Sequence, residues 1–145
     1  MNTLTAFDPG LTTGWITVDL DDLHVVGRGQ FTDWQETVPE LIHESYTDHV
    51  AYESFILRRG AYTSDQISPV YVIGAIETWA AHEGAVVWSY PPSSTKAVTD
   101  EVLERLGWLV RPKTPNRHTN DAARVAVLAC KEIIGTPFTE RAWPK

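Results

Sequence analysis

The chain has 145 residues, 43% hydrophobic and 21% charged, a composition that excludes wholesale disorder and collagen-like repeats and predicts one domain over residues 1–145. Its net charge of −7, taken as a whole, argues against nucleic acid as a partner, because phosphate binding needs lysine and arginine. That total hides a gradient. Residues 1–57 have ten acidic residues and one basic residue, whereas residues 105–145 have eight basic and three acidic residues.

The elements in chain order predict a mixed α/β fold. Apolar or alternating runs predict strands at residues 3–7, 15–20, 24–31, 49–55 and 85–90. Helices are expected at residues 33–46 after a capping box, at 68–83, in a segment that ends at residue 107, and at 121–134. Strands joined by short turns are expected to be antiparallel and strands separated by helices parallel. The prediction is therefore a five-stranded mixed sheet flanked by helices.

The sequence also indicates a compartment. A single cysteine, Cys130, forbids an internal disulfide and fits a reducing environment. The first ten residues have neither a basic segment nor a long apolar run, which argues against a signal peptide. No apolar run approaches the roughly 18 residues of a membrane-spanning helix. We therefore expect a soluble cytoplasmic protein with no membrane partner.

Two acidic residues lie where buried strands end. Asp8 follows the first apolar run and precedes Pro-Gly, and Glu53 interrupts the fourth run. A single such carboxylate is commonly a turn cap or a paired surface acid. If the first and fourth strands are neighbours in the sheet, however, both carboxylates converge on one edge.

The last helix adds two further groups. His118 and Asp121 are three residues apart, and the same helix face continues as Ala122, Val125 and Ala129. Asp121 as a helix cap and His118 as a solvated loop residue are the simpler alternatives. If the helix packs on the sheet, the four groups form an oxygen-rich cluster suited to Mg²⁺ or Mn²⁺. Two such ions about 4 Å apart suit phosphodiester hydrolysis.

These residues resemble a known family. Asp-Pro-Gly followed by Thr-Gly at residues 8–14, Glu53 on the fourth strand, and the run His118-Thr-Asn-Asp121-Ala-Ala are similar to RuvC-like Holliday junction resolvases of the RNase H-like superfamily, in compact bacteriophage-type form. The resemblance implies that Asp8, Glu53 and Asp121 are catalytic metal ligands, with His118 as the fourth. It also implies a homodimer that makes symmetric nicks in a four-way DNA junction during recombination and repair, leaving 5′-phosphate and 3′-hydroxyl ends.

Basic and aromatic residues near these acids are candidates for DNA binding. The family carries an aromatic after the strand-four Glu, for which Phe55 is the nearest candidate although its spacing is one residue short, and it carries two lysines after strand five, where this chain has Lys96. Lys96 would neutralise the scissile phosphate. Six further basic residues are candidates for phosphate contacts: Arg58, Arg59, Arg111, Lys113, Arg117 and Arg124. The simpler alternative is that they are solvated surface charges.

Three other functions fit part of the pattern. An RNase H-like nuclease that cuts an RNA–DNA hybrid or a flap would use the same metal ligands. A non-catalytic nucleic-acid-binding module could share the fold, but it would be expected to lack one of the acids, and none is missing. The segment at residues 8–14 also resembles the phosphate loop of actin-like ATPases, which need two such domains and a longer chain. The hypothesis carried forward is a structure-selective, Mg²⁺-dependent DNA endonuclease.

Overall fold

The computed structural model describes residues 2–55 and 63–145. Within these ranges the strands are β1 (Thr3–Asp8), β2 (Thr13–Asp19), β3 (Val25–Phe31), β4 (His49–Glu53) and β5 (Val86–Tyr90). The helices are α1 (Trp34–Glu44), α2 (Ser64–Glu83), α3 (Pro92–Lys96), α4 (Asp100–Leu106), α5 (Arg117–Ile134) and α6 (Thr136–Ala142).

The strands form one mixed sheet in the order β3-β2-β1-β4-β5. β1, β2 and β3 are antiparallel, and β4 and β5 run parallel to β1, which confirms the predicted α/β architecture. Phe7 of β1 lies opposite Tyr52 of β4. The residues that follow, Asp8 and Glu53, are therefore neighbours at the carboxyl ends of the two central strands.

Helices cover both faces of the sheet. Phe7 and Tyr52 belong to a core formed with α1 and α2, whereas Ala6 and Ala51 belong to a core formed with α4, α5 and α6. Because successive side chains of a strand alternate between faces, Asp8 and Glu53 share the face of Ala6 and Ala51. Both carboxylates therefore lie on the side of the sheet that α5 covers.

Small buried side chains let α5 lie directly on the sheet. Ala122, Ala126 and Ala129 are fully buried, and the helix contacts β1, β2 and β4. Cys130 is also buried in this helix, and burial raises the pKa of its thiol to about 12. No helix in the described ranges is both long enough and apolar enough to cross a membrane.

Several element boundaries differ from the sequence prediction. α2 begins at Ser64, earlier than predicted, because the Gln66 side chain accepts a hydrogen bond from the Thr63 N–H, 2.8 Å away, and Pro69 lies inside the helix. The capping box predicted for α1 does not form. Asp33 precedes the helix, but its carboxylate accepts from the Thr37 hydroxyl (2.8 Å) and not from a backbone N–H.

Other differences lie near the candidate site. β4 ends at Glu53, so that Phe55 lies beyond the strand. The segment after β5 forms two short helices instead of one, and α6 was not predicted. α5 begins at Arg117, one turn before the expected start, so His118 is helical and is not a loop residue.

Candidate active site

The first turn of α5 meets the end of β1. The Nδ1 atom of His118 lies 3.1 Å from Oδ2 of Asp8, and both side chains are largely buried. Asp121, one turn further along α5, interacts electrostatically with Asp8 and His118. The structure therefore brings together Asp8, His118 and Asp121, because α5 packs on the sheet with the face that carries both His118 and Asp121.

Gly14 makes this close approach feasible. It pairs with Asp8 across β1 and β2. A Cβ atom at position 14 would lie 1.9 Å from the carbonyl oxygen of His118 and 2.6 Å from the Thr119 nitrogen. Both atoms belong to the backbone and cannot rotate away. Only glycine at this position allows the start of α5 to reach the sheet.

Glu53 joins the cluster from β4. The hydroxyl of the buried Thr95, in α3, donates a hydrogen bond to Oε2 of Glu53. Burial raises the pKa of the Glu53 carboxyl, and the carboxylates of Asp8 and Asp121 raise it further. The Thr95 hydrogen bond and the Lys96 ammonium group oppose that rise.

Asp121 is held by an arginine on its own helix. Nε of Arg124 lies 3.3 Å from Oδ1 of Asp121, while Nη2 donates to Asp100 (2.6 Å) and Nη1 to the Val98 carbonyl (3.2 Å). Burial raises the pKa of Asp121, and the Asp8 carboxylate adds to this, whereas Arg124 and His118 lower it. Lys113 and Arg124 hold the pKa of Asp100 at about 2.

The donor set fits a hard divalent cation, because it combines three carboxylates with one imidazole. Two of the carboxyls have raised pKa values through burial and mutual repulsion, which a cation among them would relieve. The four groups do not close around a single point. The one trio of donor atoms within 4.8 Å of one another in the described ranges is Asp19, Asp22 and His24, at the opposite end of the sheet.

That second trio has a local explanation. The carboxylate of Asp19 accepts from the Asp21 N–H (2.8 Å), and Asp22 accepts from the N–H of His24 (3.0 Å). These bonds shape the turn between β2 and β3, and Asp22 and His24 are exposed. An exposed acidic turn of this kind needs no metal ion to account for it.

The predicted DNA-binding residues have different surroundings. Phe55, 39% exposed, and Arg117 line a pocket of about 400 Å³ with Asp8, Leu11 and His118. Lys96 is exposed and near enough to Glu53 to affect its pKa. Arg58 and Arg59 lie outside the described residues.

The remaining basic residues differ in their ion pairs. Arg111 pairs with Glu104, and Lys113 lies 2.7 Å from Asp100, which also pairs with Arg124. Arg117, by contrast, makes no ion pair with a described carboxylate, and its contact is with Nε2 of His118 at 3.4 Å. It also lines a second pocket of about 320 Å³ beside Asp121. Arg117 is thus a cation without an ion pair among the described residues, and it lines the pockets on both the Asp8 and the Asp121 sides of the site.

Sequence reasoning missed three residues that support the site. Thr95 donates a hydrogen bond to Glu53, and Asp100 accepts one from Arg124. Gln30 of β3 accepts one from the backbone at the start of α5. Thr95 and Asp100 lie in segments whose local sequence is typical of helix starts. Gln30 occupies an exposed position in a strand whose residues alternate between exposed and partly buried. No local pattern distinguishes them, because each acts on a residue far away in the chain.

Replacement of Glu53 by glutamine should stabilise the metal-free protein at neutral pH. The ordinary pKa of this carboxyl is 4.5 and its folded-state pKa is higher, so the ionised form is penalised in the folded protein above pH 4.5. The melting temperature of Glu53→Gln in EDTA should exceed that of the wild type at pH 7, and the difference should vanish below pH 4.5, where both side chains are neutral. Glu40→Gln, an exposed position on α1, is the control and should change little at either pH. Equal melting temperatures at pH 7 would contradict the electrostatic description of the site.

Comparison with known proteins identifies solved structures that have a similar fold. No protein-family model and no curated protein matches the chain. Among solved structures, the chain is similar to T. thermophilus RuvC in complex with Holliday junction substrate, with a TM-score of 0.72, 19% identity, and coverage of 94% of this chain and 98% of that one. It is also similar to a second Thermus thermophilus RuvC structure, with a TM-score of 0.71, 19% identity, and coverage of 92% and 97%.

The sheet and its covering helices therefore define an α/β protein of RNase H-like fold. Within that class, the arrangement is the RuvC fold over nearly the whole chain. The fold expected from the sequence resemblance is confirmed. At 19% identity this similarity establishes the fold alone, because one fold can carry many activities.

Proposed function

We propose that this protein is a structure-selective DNA endonuclease that resolves four-way junctions by metal-dependent phosphodiester hydrolysis. The observation that carries the proposal is the convergence of Asp8, Glu53, His118 and Asp121 at one edge of the sheet. The RuvC fold supports the choice of substrate, since one similar structure is a complex with a Holliday junction.

Asp8, Glu53 and Asp121 would hold Mg²⁺, or Mn²⁺ as a substitute, through carboxylate oxygens, with His118 as a nitrogen ligand. We propose two ions per site. When bound, they would supply an activated water and charge stabilisation at the leaving oxygen. Thr95 occupies one oxygen of Glu53 and so fixes its rotamer, leaving the other oxygen for a ligand. Arg124 does the same for Asp121 through Oδ1.

The chain would recognise the substrate phosphate with positive groups around this acidic centre. Lys96 is close to Glu53 and would neutralise the scissile phosphate. The amino end of α5 lies at the site, and the positive end of a helix dipole favours an anion there. Arg117 provides a guanidinium that pairs with no carboxylate in the described ranges, and Phe55 provides an exposed ring that could stack on an unpaired base.

The remaining parts of the proposal follow the family resemblance. Further phosphate contacts would come from the other basic residues, namely Arg58, Arg59, Arg111, Lys113 and Arg124. At Arg111, Lys113 and Arg124 the phosphate would compete with the carboxylate that each already pairs with. The protein would act as a single-domain homodimer in the cytoplasm, each subunit nicking one strand to leave 5′-phosphate and 3′-hydroxyl ends.

A single assay tests the proposal and its alternatives. Labelled four-way junction, flap, linear duplex and RNA–DNA hybrid are incubated with the protein in Mg²⁺, in Mn²⁺ and in EDTA. Symmetric cuts in the junction that require the metal support the proposal. Cleavage of the hybrid or the flap in preference to the junction would identify a different RNase H-like nuclease. Binding without cleavage of any substrate would identify a non-catalytic module.

Arg117→Gln should weaken junction binding in a salt-dependent way. Because Arg117 has no carboxylate partner among the described residues, its charge is available to a phosphate. Loss of one such contact should reduce the slope of log K against log salt by about 0.9. Arg141→Gln, on α6 beyond the far end of α5, is the matched control and should leave the slope unchanged. The measurement is fluorescence anisotropy in EDTA between low and moderate salt, and equal slopes for the two variants would contradict the assignment.

A further inference from the structure

The amino end of α5 is not capped by its own preceding residue. Asn116 precedes the helix, but its side chain donates to the Pro112 carbonyl (2.8 Å) and makes no hydrogen bond to the first turn. The first N–H groups of a helix have no partner within the helix and need one from elsewhere. Here that partner comes from β3, 88 or more positions earlier in the chain.

Gln30 supplies the missing cap. Its Oε1 accepts from the backbone N–H of His118 (3.0 Å) and of Thr119 (3.3 Å), while its Nε2 donates to the Pro115 carbonyl (3.1 Å). The single amide thus holds the loop before the helix and the first helical turn at once. An amide is suited to this, because it combines an acceptor and a donor without a net charge.

Neighbouring contacts fix the same turn to the sheet. The Thr119 hydroxyl donates to the Gly29 carbonyl (2.8 Å), and Gly14 lies directly beneath the peptide that joins His118 to Thr119. The N–H that Gln30 accepts belongs to the residue whose imidazole meets Asp8. A change at Gln30 therefore acts on the candidate metal centre through the backbone of His118.

We propose that Gln30 is a positioning residue of the metal centre, an inference that rests on the proposed function. Gln30 is exposed and contributes little to the core, whereas the buried alanines of α5 hold the rest of the helix on the sheet. Loss of its amide is therefore expected to loosen the first turn of α5 while the fold persists. A neutral cap also avoids a further carboxylate beside an already acidic centre.

The test compares Gln30→Met, which has a similar length but no polar group, with Gln30→Glu, which keeps the acceptor oxygens. Gln35→Met, at an exposed position on α1, is the control for the substitution itself. Mn²⁺ affinity is measured by electron paramagnetic resonance, and the His118 ring resonances are measured by NMR in metal-free protein. Gln30→Met should lose about tenfold or more in Mn²⁺ affinity, the usual effect of losing an outer-shell partner. It should also shift the His118 resonances.

Gln30→Glu keeps the acceptor for the His118 and Thr119 N–H groups but loses the donor to Pro115, so it should recover part of the affinity, and Gln35→Met should match the wild type. Wild-type affinity and unshifted His118 resonances in Gln30→Met would overturn the inference, as would a Gln30→Glu variant no better than Gln30→Met. If the wild type itself bound no Mn²⁺, the proposed metal centre would fail. The His118 resonances, which need no metal, would then decide the positioning role by themselves.

Discussion

Asp8→Asn is expected to abolish junction cleavage while junction binding persists. Asparagine keeps the size of the side chain and an oxygen near His118, but it removes the negative charge that a divalent ion needs. Loss of several kcal/mol of metal-derived charge stabilisation corresponds to a fall in rate of roughly 10³-fold or more. Binding in EDTA should be equal to that of the wild type or tighter, because one charge that repels phosphate is gone.

Asp22→Asn is the matched control for this experiment. It removes an exposed carboxylate from the trio of Asp19, Asp22 and His24 at the other end of the sheet, the alternative place for an ion within the described ranges. Single-turnover cleavage in Mg²⁺ should be that of the wild type for Asp22→Asn and lost for Asp8→Asn. The reverse result would move the catalytic metal to the turn between β2 and β3, and substantial activity in both variants would contradict both locations.

Gly14→Ala is expected to damage both stability and activity. The new methyl group would lie 1.9 Å from a backbone oxygen of α5, so the helix or the strand has to move. Overpacking commonly costs 1–3 kcal/mol, and the rigid backbone neighbour suggests about 3 kcal/mol here. A displacement of His118 and Asp121 by about 1 Å should also lower the cleavage rate by roughly 100-fold.

Gly74→Ala provides the comparison for Gly14→Ala. Gly74 lies in α2, and a Cβ there would meet nothing within 4 Å. Alanine in a helix interior should therefore stabilise the protein by about 0.5–1 kcal/mol and leave cleavage unchanged. Urea denaturation and junction cleavage measure both effects. A Gly14→Ala protein with wild-type stability and activity would show that α5 does not need this close approach.

The sequence determined most of the local structure. Alternation and apolar runs identified the five strands that the described ranges contain, since a half-buried strand needs period two wherever it lies in the sheet. The three-residue spacing of His118 and Asp121 placed them on one helix face, because that relation is internal to the helix. The position of Asp8 at the end of a buried run, before Pro-Gly, was likewise visible without a partner strand.

Helix starts were less predictable where their caps are distant. α5 begins at Arg117, and the side chain of Gln30 in β3 accepts hydrogen bonds from the backbone N–H groups of its first turn. No residue close to Arg117 in the sequence indicates this distant partner. The capping box expected at Asp33 was visible in the sequence, yet its carboxylate bonds Thr37 instead. Capping is decided by whichever partner is geometrically nearest, which a local pattern does not specify.

The charge distribution changed most between sequence and structure. The basic segment after residue 104 suggested a continuous track for DNA, but Arg111, Lys113 and Arg124 each pair with a carboxylate, and Arg117 pairs with none in the described part of the chain. Part of the acidity that opposed a nucleic-acid partner is gathered at the candidate metal centre. A net charge of −7 is compatible with phosphate binding because acidic and basic residues are concentrated in different parts of the chain.

The sequence by itself therefore determined which residue types were available and, for Asp8, Glu53 and Asp121, on which element each lies. Only the tertiary structure decided that β1 and β4 are neighbours, that Asp8 and Glu53 share the face covered by α5, and that Gly14 admits His118 to that face. The physical reason is the range of the interactions. Periodicity and turn chemistry act within a few residues, whereas sheet order, close backbone contact and charge pairing join residues far apart in the chain.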